Sequence, residues 1–305
     1  MIETSPQRRG VVARIGITLL NVVPGLGLIR LNDVGGFWWL LPNTALNLVF
    51  NFGMARAPVP TFTSFAIFVG VGVVLAMIFI AGSMMATWRR SATTFSGGGW
   101  WSRWYGIVVI LAGLFLIASA ERDLSREVYR SFYAAGESSL PTLLVNDRFL
   151  VDLRHHALHR GELIVVRRNN EDWIKRIIGL PGDRVALRGG VPVINGVAAT
   201  RHRVGTMAIP RQSQAVRFTE TLPGATRSYE VLDSGATAQD DIPEVVVPAG
   251  HLFLLGDNRD NSEDSRFPTV IGGLGMVPES DVVGRPLFIF WSRDRGRIGR
   301  SLLGD

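Results

Sequence analysis

The chain of 305 residues contains no cysteine and only one lysine. Without cysteine it cannot be a thiol protease, a disulfide oxidoreductase, an iron–sulfur protein or a protein with a cysteine-based zinc site. Of the 32 basic residues 31 are arginine, which leaves Lys175 as the exception. An arginine guanidinium keeps its proton, whereas burial can lower the pKa of a lysine amine until it acts as a base. Lys175 is therefore a candidate catalytic residue.

Charged residues of either sign are also scarce. Only 19% of the residues are charged and the mean hydropathy is +0.22, which is too apolar for an ordinary soluble enzyme. No charged residue occurs from Ala57 to Trp88 or from Trp104 to Ala120. Both stretches approach the ~20 residues that cross a bilayer as a helix. The sequence therefore predicts transmembrane helices at about residues 64–88 and 104–120.

The arginines between these stretches indicate how the chain is oriented. Arg89, Arg90 and Arg103 lie there, and cytoplasmic loops are enriched in positive residues, so the chain after Ala120 is expected on the extracytoplasmic face. Within residues 11–55, two further apolar segments are interrupted by proline, arginine or asparagine. If the amino terminus is cytoplasmic, one of them is re-entrant or interfacial. The alternative is two full crossings with the amino terminus outside.

The net charge of +6 bears on the partners of the chain. The basic residues are scattered and form no aromatic-interleaved stripe, so no nucleic-acid partner is expected. Attraction to anionic headgroups of membrane lipid explains the charge more simply. A cleavable signal peptide is not expected, because the apolar character continues beyond the length of one.

From Glu121 onward, short apolar runs alternate with turn residues, which predicts β-strands. We expect a membrane-anchored protein with a helical transmembrane region over residues 1–120 and a mainly-β extracytoplasmic domain over residues 121–305. A more polar segment at about residues 197–243 is expected to be a peripheral insertion. The strand candidates are residues 148–152, 162–166, 183–187, 191–194, 244–247 and 251–255.

Two adjacent serines, Ser138 and Ser139, shortly follow the last apolar stretch. A serine hydroxyl becomes a nucleophile when a base removes its proton, and a neutral lysine can do so in a Ser–Lys dyad. For Lys175 this requires a fall of its pKa from ~10.4 to ~7–8, through burial beside apolar neighbours such as Trp173 and Ile177.

Three segments resemble, in the same order, the signature boxes of bacterial type I signal peptidases. They are Ser138–Leu143, Lys175–Asp183 and Gly256–Arg266, and the resemblance covers about residues 121–295. It implies a membrane-bound serine endopeptidase that removes signal peptides from exported preproteins after small residues, following the A-x-A rule. No metal or other cofactor is expected, and the protein is expected to act as a monomer.

The resemblance also implies roles for individual residues. Ser138 matches the nucleophile, Lys175 the general base, and Ser262 the serine that orients this base. The supporting charged residues, two that brace the lysine and two that form an ion pair, are Asp264 with Arg266 and Asp257 with Arg176. The residues expected to line shallow pockets for small substrate side chains are Ile174, Ala134, Ala135, Ser139 and Leu140. The substrate is expected to add as a strand beside edge strands carrying Ser138 and Lys175.

The chain departs from the family pattern at three positions. Ser139 occupies the methionine position and is a rival nucleophile, although the spacing to Pro141 favours Ser138. Gly136 lies where many members carry a hydroxyl that completes the oxyanion hole, and losing one such donor can cost ~10²–10³ in rate. Glu137 adds a negative charge where glycine is most frequent.

The same residues leave two alternative functions open. A pseudopeptidase would bind signal peptides without cutting them, and a dedicated Ser–Lys peptidase would process one substrate such as a pilin. The acidic stretch Asp257–Asp264 contains Arg259 and lacks the glycine of a calcium loop. His155, His156 and His159 resemble half a zinc site, but lack the glutamate of the zinc motif, which favours a solvated loop.

Overall fold

The computed structural model describes residues 9–56, 61–92, 99–154, 157–209 and 214–303, without the side chains of residues 50–56 and 120–127. The chain divides into two compact units: one runs up to Arg126 except for a short segment that ends at Phe62, and the other comprises that segment and the chain from Glu127 onward. The amino-terminal unit is helical and the carboxy-terminal unit is mainly β.

The α-helices described in the amino-terminal unit are α1 (Val11–Leu19), α2 (Leu26–Arg30), α3 (Phe37–Arg56), α4 (Phe62–Arg90) and α5 (Trp104–Val128). Among the described residues, α4 is the one helix that is both long and apolar enough to cross a membrane. It confirms the apolar helix expected at about residues 64–88. The apolar part of α5, Trp104–Ser119, is shorter than a span, so the second crossing stays a prediction.

Residues 9–36 fold against one end of α4. Near the start of this segment, the Arg14 guanidinium lies 4.1 Å from the ring centroid of Trp88. Near its end, Asp33 forms an ion pair with Arg90. Asn21 lies between Arg14 and Asp33 in the sequence and is buried. Its side-chain oxygen accepts hydrogen bonds from two backbone N–H groups at the start of α2. Both ends of this segment therefore lie at the Arg90 end of α4. The helix α3, by contrast, is continuous over 20 residues.

The strands of the carboxy-terminal unit form three antiparallel sheets. In chain order they are β1 (Tyr129–Tyr133), β2 (Arg148–Asp152), β3 (Leu163–Arg168), β4 (Glu171–Gly179), β5 (Arg184–Arg188), β6 (Val191–Ile194), β7 (Val197–Ala198), β8 (Thr200–Met207), β9 (Ala215–Thr221), β10 (Ser228–Asp233), β11 (Ile242–Val246), β12 (His251–Leu255), β13 (Val277–Pro278) and β14 (Val282–Trp291). The sheet orders are β1-β2-β14-β3-β4-β12-β13, β10-β9-β8 and β11-β5-β6-β7.

The strand that carries Lys175 is implied by the resemblance but is not among the candidates from apolar runs. The sequence of β4 begins with Glu171 and Asp172 and is interrupted by Lys175 and Arg176, so it has no continuous apolar run. In the fold, the residues from Lys175 to the end of the strand are all buried. Both faces of β4 are therefore covered here, and the pattern of apolar residues does not reveal such a strand when two of the buried residues are charged.

The segment at residues 197–243 forms a sheet of its own and also packs against the core, and its origin as an insertion stays a prediction. Its strands β8, β9 and β10 form the three-stranded sheet, and Tyr229 and Val231 pack into the same apolar cluster as Ile178 of β4 and Phe253 of β12. Tyr229 and Val231 are two residues apart in a strand and therefore share one face. Glu230 lies between them, so the sequence shows no continuous apolar run that would reveal this face.

Candidate active site

A tight hairpin between β3 and β4 places Lys175 inside the large sheet. Asn169 and Asn170 both adopt positive φ, at 51° and 63°, as a two-residue hairpin turn requires. The resulting register pairs Lys175 with Ile164 of β3. Because consecutive strand residues point to opposite faces, Lys175 and Arg176 contribute to different polar clusters.

The Lys175 side chain is almost completely buried, with 1% exposed. Its Nζ donates to Ser262 Oγ at 2.7 Å and lies 5.5 Å from the ring centroid of Trp173. Burial lowers the pKa of Lys175 to about 8, although the negative charge of Asp264 acts in the opposite direction. A lysine in this environment is partly neutral near physiological pH and can accept a proton.

Gly256 allows the third box to approach the serine turn closely. A Cβ atom at this position would lie 2.1 Å from Ser262 Oγ and 2.8 Å from the carbonyl oxygen of Ser138. Any side chain would therefore push the two serine segments apart. The backbone at Gly256 thus brings the turn containing Ser138 next to the hydroxyl that contacts Lys175.

Asp264 and Arg266 form a buried ion pair below Ser262. Arg266 Nε donates to Asp264 Oδ1 at 2.9 Å, and Arg266 also donates to the carbonyl oxygen of Arg259. Asp264 Oδ2 accepts from the backbone N–H of Gly256 at 3.0 Å. These bonds connect both ends of the turn that carries Ser262.

The Asp257 and Arg176 pair lies on the other face of β4. Arg176 Nε and Nη2 donate to the two carboxylate oxygens of Asp257 at 2.7 and 2.6 Å. Thr142 Oγ1 donates to the same carboxylate at 2.5 Å. The Arg176 guanidinium also stacks on Tyr229, 4.1 Å from its ring centroid. The pair thereby connects the serine segment, β4 and the third box.

Ser138 lies in a turn after β1 and not on an edge strand, which corrects the sequence prediction. Its carbonyl oxygen accepts from the backbone N–H of Asn258 at 3.0 Å. Within the described part of the chain, Ser138 Oγ has no hydrogen-bond partner and the residue is partly exposed. Ser139, by contrast, is 3% exposed and donates its hydroxyl to the carbonyl oxygen of Ile174 at 3.3 Å. Of the two serines, Ser138 has the free hydroxyl.

A cavity of about 220 Å³ lies between this turn and the first half of β4. Its lining residues are Tyr133, Ala134, Ala135, Gly136, Ser138, Ser139, Glu171, Asp172, Trp173 and Ile174. Four of the five predicted pocket residues are therefore brought together here. Leu140 is not among them, because its side chain packs into a buried cluster with Ile209, Ala215 and Leu232.

The first half of β4 has an open edge beside the cavity. From Glu171 to Lys175 the strand pairs with β3 on one side. Among the described strands, β12 joins the other side only from Arg176 onward. The main-chain groups of Glu171–Lys175 can therefore accept a further strand along this edge.

Two asparagines that the sequence analysis did not single out hold the serine turn. Asn258 Nδ2 donates to the carbonyl oxygen of Glu137 at 3.1 Å, and Asn261 Nδ2 donates to its carboxylate at 3.0 Å. Glu137 is thus anchored to the third box. Both asparagines belong to the third signature box, so their polar side chains could have identified them from the sequence as candidate site residues.

The stretches considered as metal sites contain other contacts. Arg259, inside the acidic turn, is buried and paired with Glu220. His155 and His156 lie outside the described residues, and His159 Nδ1 is 3.2 Å from Glu162 Oε1.

Comparisons with known proteins identify the family of the chain. The sequence model described as "Signal peptidase, peptidase S26" matches residues 101–291. The chain therefore belongs to the signal peptidase family, peptidase S26, which confirms the resemblance seen in the three boxes.

Individual relatives agree with this family. The chain is 31% identical to signal peptidase I U of Bacillus subtilis (strain 168) over 188 residues, which cover 60% of this chain and 87% of that protein. It is 37% identical to signal peptidase I of Rickettsia typhi over 142 residues, which cover 44% of this chain and 52% of that protein. A crystal structure of a signal peptidase I from Enterococcus faecalis V583 is similar with 26% identity and a TM-score of 0.25, covering 43% of this chain and 98% of that one.

Proposed function

We propose that this protein is a membrane-anchored serine endopeptidase that cleaves signal peptides from exported preproteins through a Ser138–Lys175 dyad. One observation carries the proposal. Lys175 is buried, its pKa is lowered to about 8, and its amine is hydrogen-bonded to Ser262, next to the turn in which Ser138 has a free hydroxyl. A neutral amine beside such a hydroxyl is what nucleophilic catalysis without histidine requires.

In the proposed reaction Ser138 Oγ attacks the scissile carbonyl carbon while its proton moves to neutral Lys175 Nζ. The protonated lysine then gives this proton to the leaving amine, and an ester to Ser138 remains. Neutral Lys175 next takes a proton from water as the water oxygen attacks the ester carbon, and it returns this proton to Ser138 Oγ as the ester bond breaks and the signal peptide is released. The Ser138 backbone N–H would donate to the oxyanion in both steps.

The cavity and the open edge of β4 would bind the signal-peptide side of the substrate. An extended segment can add along Glu171–Lys175 with main-chain hydrogen bonds, which align it regardless of sequence. The walls contributed by Ala134, Ala135, Ser139 and Ile174 leave a shallow space of about 220 Å³. The residues before the cut would lie in this space, and the A-x-A preference is proposed from the family resemblance.

The amino-terminal unit would anchor the enzyme in the lipid. Large apolar side chains along α4 and α5, including Ile67, Met77 and Phe115, are exposed to the surroundings. An exposed apolar surface on helices of this length is stable in hydrocarbon and unstable in water. We propose that α3, α4 and α5 cross the membrane, with the arginine-rich end of α4 in the cytoplasm and the carboxy-terminal unit outside.

The deciding experiment is cleavage of a precursor with an Ala-x-Ala site by the purified full-length protein in detergent. We expect Ser138→Ala and Lys175→Arg to abolish cleavage, because each removes one member of the dyad. Ser139→Ala is the matched control and should retain activity, because the Ser139 hydroxyl is bonded to Ile174. Cleavage by Ser138→Ala would disprove the dyad. Binding of several precursors by wild type without cleavage would instead indicate a pseudopeptidase.

A further inference from the structure

A third buried charge cluster contacts the third box through Arg259 and plays no part in the reaction described above. Its centre is Glu220 on β9, which is 0% exposed. Glu220 accepts from Tyr229 Oη at 2.6 Å, from Arg201 Nη2 at 2.8 Å and from both Nη atoms of Arg259. A carboxylate with so many donors remains ionised, and its charge neutralises guanidinium groups that cannot lose theirs.

Arg259 connects this cluster to the catalytic turn. Its Nε donates to the carbonyl oxygen of Gly256 at 3.2 Å. Its own carbonyl oxygen accepts from Arg266, the partner of Asp264. Arg259 therefore holds Gly256, whose missing side chain lets the two serine segments approach each other. It also holds Arg266, one member of the ion pair with Asp264.

We propose that Glu220 is a positioning residue for the general base, which acts by holding Arg259 so that the turn Gly256–Arg266 keeps Ser262 against Lys175 Nζ. The inference rests on the proposed role of Lys175. It assigns a function to the sheet of β8, β9 and β10. Glu220 itself contacts neither Ser138 nor Lys175 and acts through Arg259.

The physical reason is the cost of leaving a buried guanidinium without its counter-ion. If the Glu220 charge is removed, Arg259 is buried and unpaired, and the turn must rearrange or admit water to solvate it. Water near the turn would reduce the desolvation that lowers the pKa of Lys175. The expected change is therefore a rise of the Lys175 pKa toward its ordinary value.

Because Lys175 is the only lysine, its titration can be followed directly. The full-length protein labelled with ¹³Cε-lysine gives a single lysine side-chain signal in detergent, and its chemical shift reports protonation. In wild type we expect a midpoint of about 8. In Glu220→Gln, which keeps the shape and removes the charge, we expect it to rise by about 0.5–1 pH unit, a typical size for partial loss of desolvation.

Glu230→Gln is the matched control. Glu230 lies in the same sheet and pairs with Arg217, but both side chains are partly exposed, at 27% and 36%, and neither contacts Arg259. This variant should leave the lysine midpoint unchanged. Tyr229→Phe removes one donor to Glu220 and keeps the ring against Arg176, so it should shift the midpoint in the same direction by less. If Glu220→Gln does not fold, Tyr229→Phe provides the test.

The outcomes separate this inference from the proposed function. An ordinary lysine midpoint in wild type would disprove the proposed base and leave nothing for Glu220 to position. A lowered midpoint in wild type that is unchanged in folded Glu220→Gln would overturn only the positioning role. A downward shift would also overturn it, because direct loss of a negative charge acts in that direction. Cleavage by Glu220→Gln should show a lower kcat with KM nearly unchanged, because Glu220 lines no part of the cavity.

Discussion

At the scale of single residues, Lys175 shows how function opposes stability. Its pKa falls from 10.5 to about 8 on folding, so the folded chain disfavours the ammonium form. Below pH 8 both states bind the proton and the fold carries the full cost of the buried charge. As pH rises from about 8 to 10.5, the folded state has already lost the proton that the unfolded state must still lose, and this cost disappears. The lysine thus lowers stability at neutral pH, where it is the proposed base.

The same pKa predicts how activity depends on pH. Only neutral Lys175 can accept the Ser138 proton, so kcat/KM should rise about tenfold per pH unit below the pKa and level off above about 8. Initial rates of precursor cleavage across this range measure the midpoint. A rate that stays constant from about pH 6 to pH 8 would contradict a lysine base.

Gly136 is the position at which we expect a gain of activity. A Cβ atom there meets no atom within 4 Å, so a side chain fits without displacing a neighbour. Gly136→Ser would supply the hydroxyl expected at the oxyanion hole and should raise kcat by ~10-fold or more, within the ~10²–10³ that one donor contributes. Gly136→Ala controls for the added Cβ and should cleave like wild type. Equal rates for the two variants would show that the hydroxyl does not reach the oxyanion.

At the scale of elements, the site is assembled from β4, the turn after β1 and the third box. Each is short, and none could hold its catalytic residue alone. Gly256 is where two of them meet, because its missing side chain lets Ser262 and the Ser138 carbonyl approach. The two asparagines of the third box then fasten the turn through Glu137.

Gly256→Ala is therefore expected to lose nearly all cleavage activity. Its new methyl group would overlap Ser262 Oγ at 2.1 Å, and the turn would have to shift away from Lys175. Cleavage rates and the thermal midpoint should be measured beside Gly136→Ala, which adds the same methyl group in open space. Comparable activity of the two alanine variants would contradict the close approach.

The sequence predicted these elements unevenly. The strand at Arg148–Asp152 agrees with the expected residues 148–152, because it is an apolar run that directly follows the turn residues Asn146 and Asp147. The apolar pattern missed the strand β4, which only the resemblance implied, because its buried lysine and arginine look like surface residues in a sequence. The contribution of β8, β9 and β10 was missed for a related reason: Glu220 becomes a core residue only when Arg201 and Arg259 approach it from distant parts of the chain.

At the scale of the whole molecule, the proposed topology separates the arginine-rich loop from the cleavage site by a membrane. Since the chain has no cysteine, a single introduced cysteine gives an unambiguous label. Val270 is exposed in the carboxy-terminal unit and Arg89 is exposed at the end of α4.

We expect Val270→Cys to react with a membrane-impermeant maleimide in intact spheroplasts. Arg89→Cys should react only after the membrane is permeabilised, because positive residues flanking a span remain in the cytoplasm. Labelling of both variants after permeabilisation controls for access to each thiol. Reaction of Arg89→Cys in intact spheroplasts would reverse the proposed orientation.

The sequence alone determined the family, the lysine and the long apolar helix. The box motifs and the length of an apolar segment are local properties of the sequence, so they can be recognised without knowing which residues are in contact. Only the tertiary structure showed that the Ser139 hydroxyl is bonded to Ile174 across the fold, which adds to the spacing that favours Ser138 as the proposed nucleophile. It also excluded Leu140 from the cavity and brought Glu220 to Arg259. These outcomes depend on which distant segments pack together, and burial then changes what the same side chain does.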